Sequence, residues 1–368
     1  MDTILAEGKF GHGALERPTD PKSDLLGHHE EIAGALQPAV WVEKNPQTGF
    51  KTYPKRNQEQ ASDCVIYAMA KALSVDELIE NGNWRELSPH SVYPFVVVPG
   101  GGSNSTTVAQ WVVKKGMSLE VLFPSDGLTE TQVESPAGYP LDAQVIAPVY
   151  APGNAVQVAT DFETIASILY SYQQQKQNKV VMVTVIGQNN GTWLSPQPVK
   201  PDGTGNDYWY HKIAITDFGL INGQKVLSFD NSWGSVGVGN AGQQFLDESY
   251  APFMYAGLYT INQPDNWQAL APSVNSVSYT WNTTLQIGSS GADVLALQQA
   301  LQSVGMFPVS TVQKPTGYFG GLTRAGVILF QTEFALPVTG IVDAATQTTL
   351  NKIFSTGTSP AASSSETA

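Results

Sequence analysis

One cysteine, Cys64, stands among 368 residues. No disulfide can form within the chain, so the fold does not depend on oxidation. Charge is also scarce: charged residues make up 14%, and 19 Lys and Arg face 32 Asp and Glu for a net charge of -13. With so few cations there is little to neutralise phosphate, which argues against nucleic acid and against anionic membrane surfaces as partners. Apolar runs such as Val96–Val98 and Val180–Ile186 fall well short of the ~20 residues that span a bilayer. Met1–Phe10 holds an early acid and no apolar segment, so an ordinary signal peptide is not expected and the export route stays open. The pair His28–His29 has no neighbouring cysteine or spaced carboxylate, so neither a metal nor another cofactor is expected.

What is present is ample for folding. Apolar residues reach 42%, and 34 Gly with 23 Pro predict a turn-rich surface over a real core. The length suits two domains or one large one. Residues 1–37 mix Gly, Pro, His and charge without periodicity and read as a leader or arm. Val40-Trp41-Val42 reads as a short strand. Cys64 to about Glu80 reads as one helix, with Asp63 as its N-cap and Val65, Tyr67, Ala68, Ala72 and Leu73 on its apolar face. Thr107–Lys115, stopped by Gly116, and Asp161–Gln175 follow as helices. The period then changes, and Val180–Ile186, His211–Thr216 and Lys225–Phe229 read as strands. Helices first and strands later predict an α+β domain.

Residues 264–283 are polar and proline-containing and read as a linker. Beyond them Val294, Leu297, Leu301 and Val304 keep helical spacing, with Gly305 as a stop. Thr316-Gly-Tyr-Phe-Gly-Gly-Leu-Thr323 is then echoed by Thr339-Gly-Ile-Val-Asp-Ala-Ala-Thr346. A repeat this short, with each copy opening an apolar helix, predicts a small helical module. Residues 356–368 are low-complexity and read as a disordered tail.

A lone cysteine has two readings. It is a small buried hydrophobe, or, at a helix N-terminus, a thiol whose thiolate the backbone N–H groups favour. A thiol nucleophile needs a base, and the base needs an orienting group. His12, His28 and His29 lie in the leader, and His90 follows Ser88-Pro89 in a loop and reads as a surface residue. His211 opens an apolar strand, a rigid mount for a base. Twenty residues on comes Asp230-Asn231-Ser232-Trp233-Gly234. Asn231 is placed to fix the imidazole tautomer, and Trp233 to shield that bond from water.

Taken together, Asn57-Gln58 ahead of Cys64, His211 on a strand 147 residues downstream, and Asn231-Ser232-Trp233-Gly234 resemble the papain family of cysteine peptidases. Gly101-Gly102, followed by Ala109-Gln110-Trp111, resembles that family's cleft glycines, and Val40-Trp41 the start of its mature enzyme. The resemblance covers roughly residues 38–263. It departs at Ser62, Asp63 and Val65 around the cysteine, and at Gly237-Val238-Gly239, where a second Trp is expected. Gly288-Ser-Ser-Gly291, Leu297-Gln298, Gly317-Tyr-Phe-Gly320, Phe330-Gln331 and Gly340-Ile-Val-Asp343 resemble the three-helix peptidoglycan-binding domain.

The resemblances imply a two-lobed domain, a helical lobe plus an antiparallel β-barrel-like lobe, over residues 38–263, and a small three-helix domain over 284–355. They imply Cys64 as nucleophile, His211 as base and then acid, Asn231 as its orienting group, and Gln58 as oxyanion donor. Gly101, Gly102 and Trp233 are the implied substrate-binding residues. The expected activity is hydrolysis of protein or peptide substrates through a thioester, by a monomer held to peptidoglycan at a cell wall or in a virion. The alternatives are a lysin that cuts peptidoglycan, including one encoded by a phage, and a catalytically silent binding protein.

Overall fold

The computed structural model describes residues 13–15, 27–28, 36–82, 84–189, 191–201, 208–235, 244–261, 277–304, 306–307 and 315–354. The tail, Gly305, and most of the leader and linker lie outside the described residues. The chain divides into two compact units, one of residues 1–138 and 150–263, the other of residues 139–149 and 264–368.

In chain order the strands are β1 (Gly27–His28), β2 (Asn154–Val158), β3 (Val181–Gln188), β4 (Tyr208–Ile221), β5 (Gln224–Asp230), β6 (Gln244–Asp247) and β7 (Met254–Ile261). The longer helices are α1 (Cys64–Asn81), α2 (Ser105–Lys115), α3 (Glu130–Val133), α4 (Leu141–Ile146), α5 (Phe162–Gln174), α6 (Ala292–Ser303), α7 (Gly321–Glu333) and α8 (Ala344–Phe354). No described helix is long and apolar enough to cross a membrane.

In the first unit one sheet runs β1-β2-β7-β3-β4-β5-β6. Among the described strands of this sheet, only β1 and β2 pair in parallel. Its core joins Val183, Val185, Ile213, Ile215 and Phe229 from the strands to Ile165, Ile168 and Leu169 from α5. Asp161 caps α5 by accepting the Thr164 N–H at 2.8 Å. The Val40–Val42 segment forms no strand. It runs extended beside β4, tied by the Leu220 N–H to the Val42 carbonyl at 2.8 Å and the Lys44 N–H to the Leu220 carbonyl at 2.9 Å. Strands β2, β6 and β7 carry no alternation long enough to announce them.

The helix α1 is wrapped on all sides rather than amphipathic, since every residue from Cys64 to Glu77 is buried. Its polar residues are therefore paired. Lys71 meets Asp230 at 2.8 Å, Asp76 meets Lys179 at 2.9 Å, and Glu77 meets Arg85 at 3.0 Å, as the cost of burying lone charge requires.

In the second unit α4 packs against α7. Trp281, Leu297, Leu301, Phe319, Phe330, Val342, Leu350 and Phe354 form the core. The sequence repeat has a structural cause, a buried glutamine clamp present twice. Gln298 Oε1 accepts the N–H groups of Thr316 and Gly317, while its Nε2 donates to the Tyr318 carbonyl and to Thr323 Oγ1. Gln331 does the same with Thr339, Gly340, Ile341 and Thr346. Each Thr-Gly turn is thereby fastened to the helix before it and to the helix after it.

Candidate active site

The candidate residues are mounted on three backbones: the first turn of α1, the opening residues of β4, and the turn that leaves β5. Cys64 opens α1 and is fully buried. The Lys212 backbone N–H donates to its Sγ at 3.4 Å. Sulfur thus sits against the peptide that joins His211 to Lys212, and that N–H favours the thiolate over the thiol. Asp63 occupies the residue before the helix but makes no side-chain cap bond, a correction to the expected N-cap. Its carboxyl is buried, and neither oxygen makes a side-chain hydrogen bond. Burial, with the charge of Glu130 beside it, holds this carboxyl well above the ordinary carboxylate range. This shift favours the neutral form, so the acid adjacent to Cys64 brings less of the negative charge that would oppose a thiolate.

His211 is also fully buried. Its Nε2 lies 2.7 Å from the main-chain oxygen of Asn231. A carbonyl oxygen only accepts, so Nε2 carries the proton and Nδ1 is the basic nitrogen. Asn231 orients the ring, but through its backbone. Its side-chain Oδ1 accepts the Trp233 N–H at 3.0 Å instead. The buried Nδ2 makes no hydrogen bond among the described residues.

Gln58 is buried beside this turn. Its backbone N–H donates to the Ser232 carbonyl at 2.9 Å, and its side-chain Nε2 donates to the Ala61 carbonyl at 2.8 Å. Trp233 is fully buried, with its ring 4.8 Å from that of His211. It therefore lies as a lid over the imidazole, with no exposed surface to offer a substrate. Trp209 and Trp193 extend the lid, at 5.5 and 6.0 Å from Trp233. No motif pointed to these two residues, because their spacing to Trp233 exists only once the strands pair.

Gly101 and Gly102 have φ of 89° and 84°, the left-handed region that suits glycine. The stretch they begin is occupied. Leu15 N–H donates to the Ser103 carbonyl at 3.1 Å, and Ser103 N–H donates to the Gly13 carbonyl at 2.8 Å. Ala14 thus pairs in parallel with Ser103. A Cβ on Gly13 would stand 1.9 Å from the Ser62 carbonyl oxygen, so the segment lies flush against the residues that precede Cys64. Glu130 fastens the same region. It accepts from the Ser62 N–H and from Tyr93 Oη at 2.6 Å, and Tyr93 Oη accepts the Gly102 N–H at 2.8 Å.

His90 is not a surface residue. It is buried and stacks on Phe123 at 3.9 Å, with its two ring nitrogens 3.0 Å from the carbonyls of Pro124 and Ser135. It is spent on structure and lies outside the constellation. No cluster of His, Cys, Asp and Glu among the described residues could hold a metal.

The fold has counterparts among solved structures. In three dimensions the chain is similar to xylellain, a cysteine protease from Xylella fastidiosa, at 14% identity, over 71% of this chain and 98% of that one, with a TM-score of 0.51. It is also similar to digestive procathepsin L 3 of the Tenebrio molitor larval midgut, at 15% identity over 65% and 75% of the two chains, TM-score 0.45. The bromelain protease of Ananas comosus is a further similar structure, at 17% identity over 58% and 94%, TM-score 0.43. In sequence, residues 290–350 match the family described as "Putative peptidoglycan binding domain", and no curated protein matches the chain. The fold is that of a papain-like cysteine protease, an α+β architecture. The chain also carries a peptidoglycan-binding domain at residues 290–350.

Proposed function

We propose that the protein is a thiol endopeptidase that cleaves peptide bonds through a thioester and is held at a bacterial cell wall by its C-terminal domain. One observation carries the reading. The Cys64 sulfur accepts a hydrogen bond from the backbone N–H next to His211, while the His211 ring is fixed by the Asn231 carbonyl in the tautomer whose Nδ1 is basic. In this reading Nδ1 takes the thiol proton, the thiolate attacks the scissile carbonyl, and the imidazolium returns the proton to the leaving amine. The helix N-terminus and the Gln58 amide stabilise the oxyanion, each donor worth roughly 3 kcal/mol of barrier.

The pairing of residues 13–15 with Ser103 supports an extended peptide as substrate, because it demonstrates main-chain hydrogen bonding along that loop. Residues 13–15 leave the loop before a substrate pairs there. An L-peptide backbone suits such a clamp, whereas the D-residues of peptidoglycan stems would turn their side chains the wrong way.

The test is hydrolysis of a fluorogenic peptide and of casein by the full-length protein and its Cys64→Ala variant, with sacculus binding in parallel. Hydrolysis lost in the variant, with sacculi bound yet not solubilised, supports the reading. Release of stem peptides from sacculi by wild type alone would replace it with the lysin. Absence of hydrolysis together with slow iodoacetamide labelling of Cys64 would replace it with a silent wall-binding protein.

A further inference from the structure

The turn that leaves β5 does more than deliver Asn231. Ser232 stands at φ 61°, a left-handed conformation that is unfavourable for an L-residue. Two side chains hold the turn open. Asp230 Oδ1 accepts the Ser232 N–H, and Asn231 Oδ1 accepts the Trp233 N–H, both at 3.0 Å. The consequence is that consecutive carbonyls point at different members of the site. The Asn231 carbonyl takes the His211 Nε2–H at 2.7 Å, and the Ser232 carbonyl takes the Gln58 N–H at 2.9 Å.

The Asp230 carboxylate is itself anchored. Its Oδ2 lies 2.8 Å from Lys71 Nζ, with both side chains 4% exposed, and 3.7 Å from Lys55 Nζ. Lys71 sits on α1 two turns beyond Cys64, and its ammonium also donates to the Pro54 carbonyl. One buried carboxylate therefore ties together the helix of the nucleophile, the segment that leads into Gln58, and the turn that aims His211. A buried ion pair is a poor stabiliser compared with apolar packing, and its better-supported use is to fix one geometry.

We propose that Asp230 and Lys71 form a positioning pair for the catalytic site, setting the direction of the Asn231 and Ser232 carbonyls and through them His211 and Gln58. Neither residue touches substrate. The proposal rests on the peptidase reading for the roles of His211 and Gln58. Burial alone would raise the Asp230 carboxyl, but the ammonium groups of Lys71 and Lys55 outweigh it and bring the pKa down to about 2. The Asp230 carboxylate is thus charged throughout the range in which a thiol peptidase works.

The experiment uses full-length Asp230→Asn, Lys71→Met and the double variant. It reads peptide kcat and KM, and the His211 ring titration by NMR, assigned through His211→Ala. Asp230→Asn keeps an acceptor for the Ser232 N–H but strands the lysine. The expected result is a kcat fall of about 10- to 100-fold with KM within about two-fold. The His211 midpoint should move down, because a misaimed carbonyl stabilises the imidazolium less. Lys71→Met should do likewise, and the double variant should fall no further than either single one.

Wild-type kcat and His211 titration in Asp230→Asn, whatever its melting temperature, would overturn the proposal. So would a double variant whose loss is the product of the single losses. Should Asp230→Asn fail to fold, Lys71→Met, which retains the Lys55 contact, decides between the same two outcomes. Should the wild type hydrolyse no peptide, the peptidase reading fails. The His211 titration then still decides whether the pair positions the ring.

Discussion

Replacing Gln331 with Leu removes the second glutamine clamp while nearly conserving volume. The native amide accepts the N–H groups of Thr339 at 3.0 Å and Gly340 at 2.8 Å. It donates to the Ile341 carbonyl at 2.8 Å and to the hydroxyls of Thr346 and Thr339 at 3.0 and 3.1 Å. Not all of these groups are stranded by the change. The Thr339 N–H also reaches the Pro337 carbonyl, and the Ile341 carbonyl also accepts from the Asp343 N–H. The Gly340 N–H is left with no such alternative in a buried turn, and the two threonine hydroxyls lose one bond each. At about 1 kcal/mol for each of the two backbone groups that keep an alternative and about 1–3 for the stranded N–H, the change should cost roughly 3–5 kcal/mol. A module this small is stable by roughly 4–10 kcal/mol at about 0.05–0.15 kcal/mol per residue. The loss should therefore lower its melting temperature by roughly 12–40 °C at about 4–8 °C per kcal/mol. Calorimetry of the full-length protein measures it, and the peptidase-like unit should keep its own transition. Thr348→Ala, at an exposed site on α8 whose hydroxyl donates only to the Ala344 carbonyl, should shift stability by less than about 0.5 kcal/mol. A Gln331→Leu cost below about 1 kcal/mol would refute the clamp as the cause of the repeat.

Three further outcomes are expected. Asn231→Ala should slow hydrolysis by about 10-fold or less, because the His211 bond is to the main chain, whereas His211→Ala should abolish both turnover and fast alkylation of Cys64; paired rate and alkylation measurements check this. Gln58→Ala should lower kcat by about 100-fold while leaving Cys64 alkylation fast, since in the proposed mechanism its amide acts on the transition state. The two buried aspartates should give stability opposite pH slopes. Asp230, lowered from 3.8 to about 2, contributes stability that is present above 3.8 and lost as pH falls through about 2. Asp63, raised well above 3.8, contributes stability that is present below 3.8 and lost as pH rises through its folded value. Asp63→Asn should therefore gain stability relative to wild type as pH increases from about 4 to 8, and equal pH dependence of the two melting temperatures would refute the burial argument.

The parts of this molecule legible in its sequence are those whose signal is local. The α1 helix could be read because its apolar residues are contiguous, and β4 because His211 heads a β-branched run. The Thr-Gly repeat could be read because both copies of a clamp need the same residues at the same spacing. What stayed hidden depends on partners far along the chain. A buried Lys71 looks like any helical lysine until Asp230 is brought beside it. Arg56 gives no hint that it binds Glu120 and Asp126, and His90 looks like a loop residue until Pro124 and Ser135 supply carbonyls on both sides.

The sharpest case is Asn231. The residue type predicts a side-chain bond to the imidazole, and the turn gives a main-chain one, because Oδ1 is already needed to hold the Trp233 N–H. That exchange transfers the orienting role from a side chain to a backbone carbonyl. The carbonyl's direction depends on the left-handed Ser232, and hence on Asp230. A motif records which residue types a turn needs. Which atom of each one does the orienting is decided by the hydrogen-bond accounting of the folded turn, which the motif does not contain.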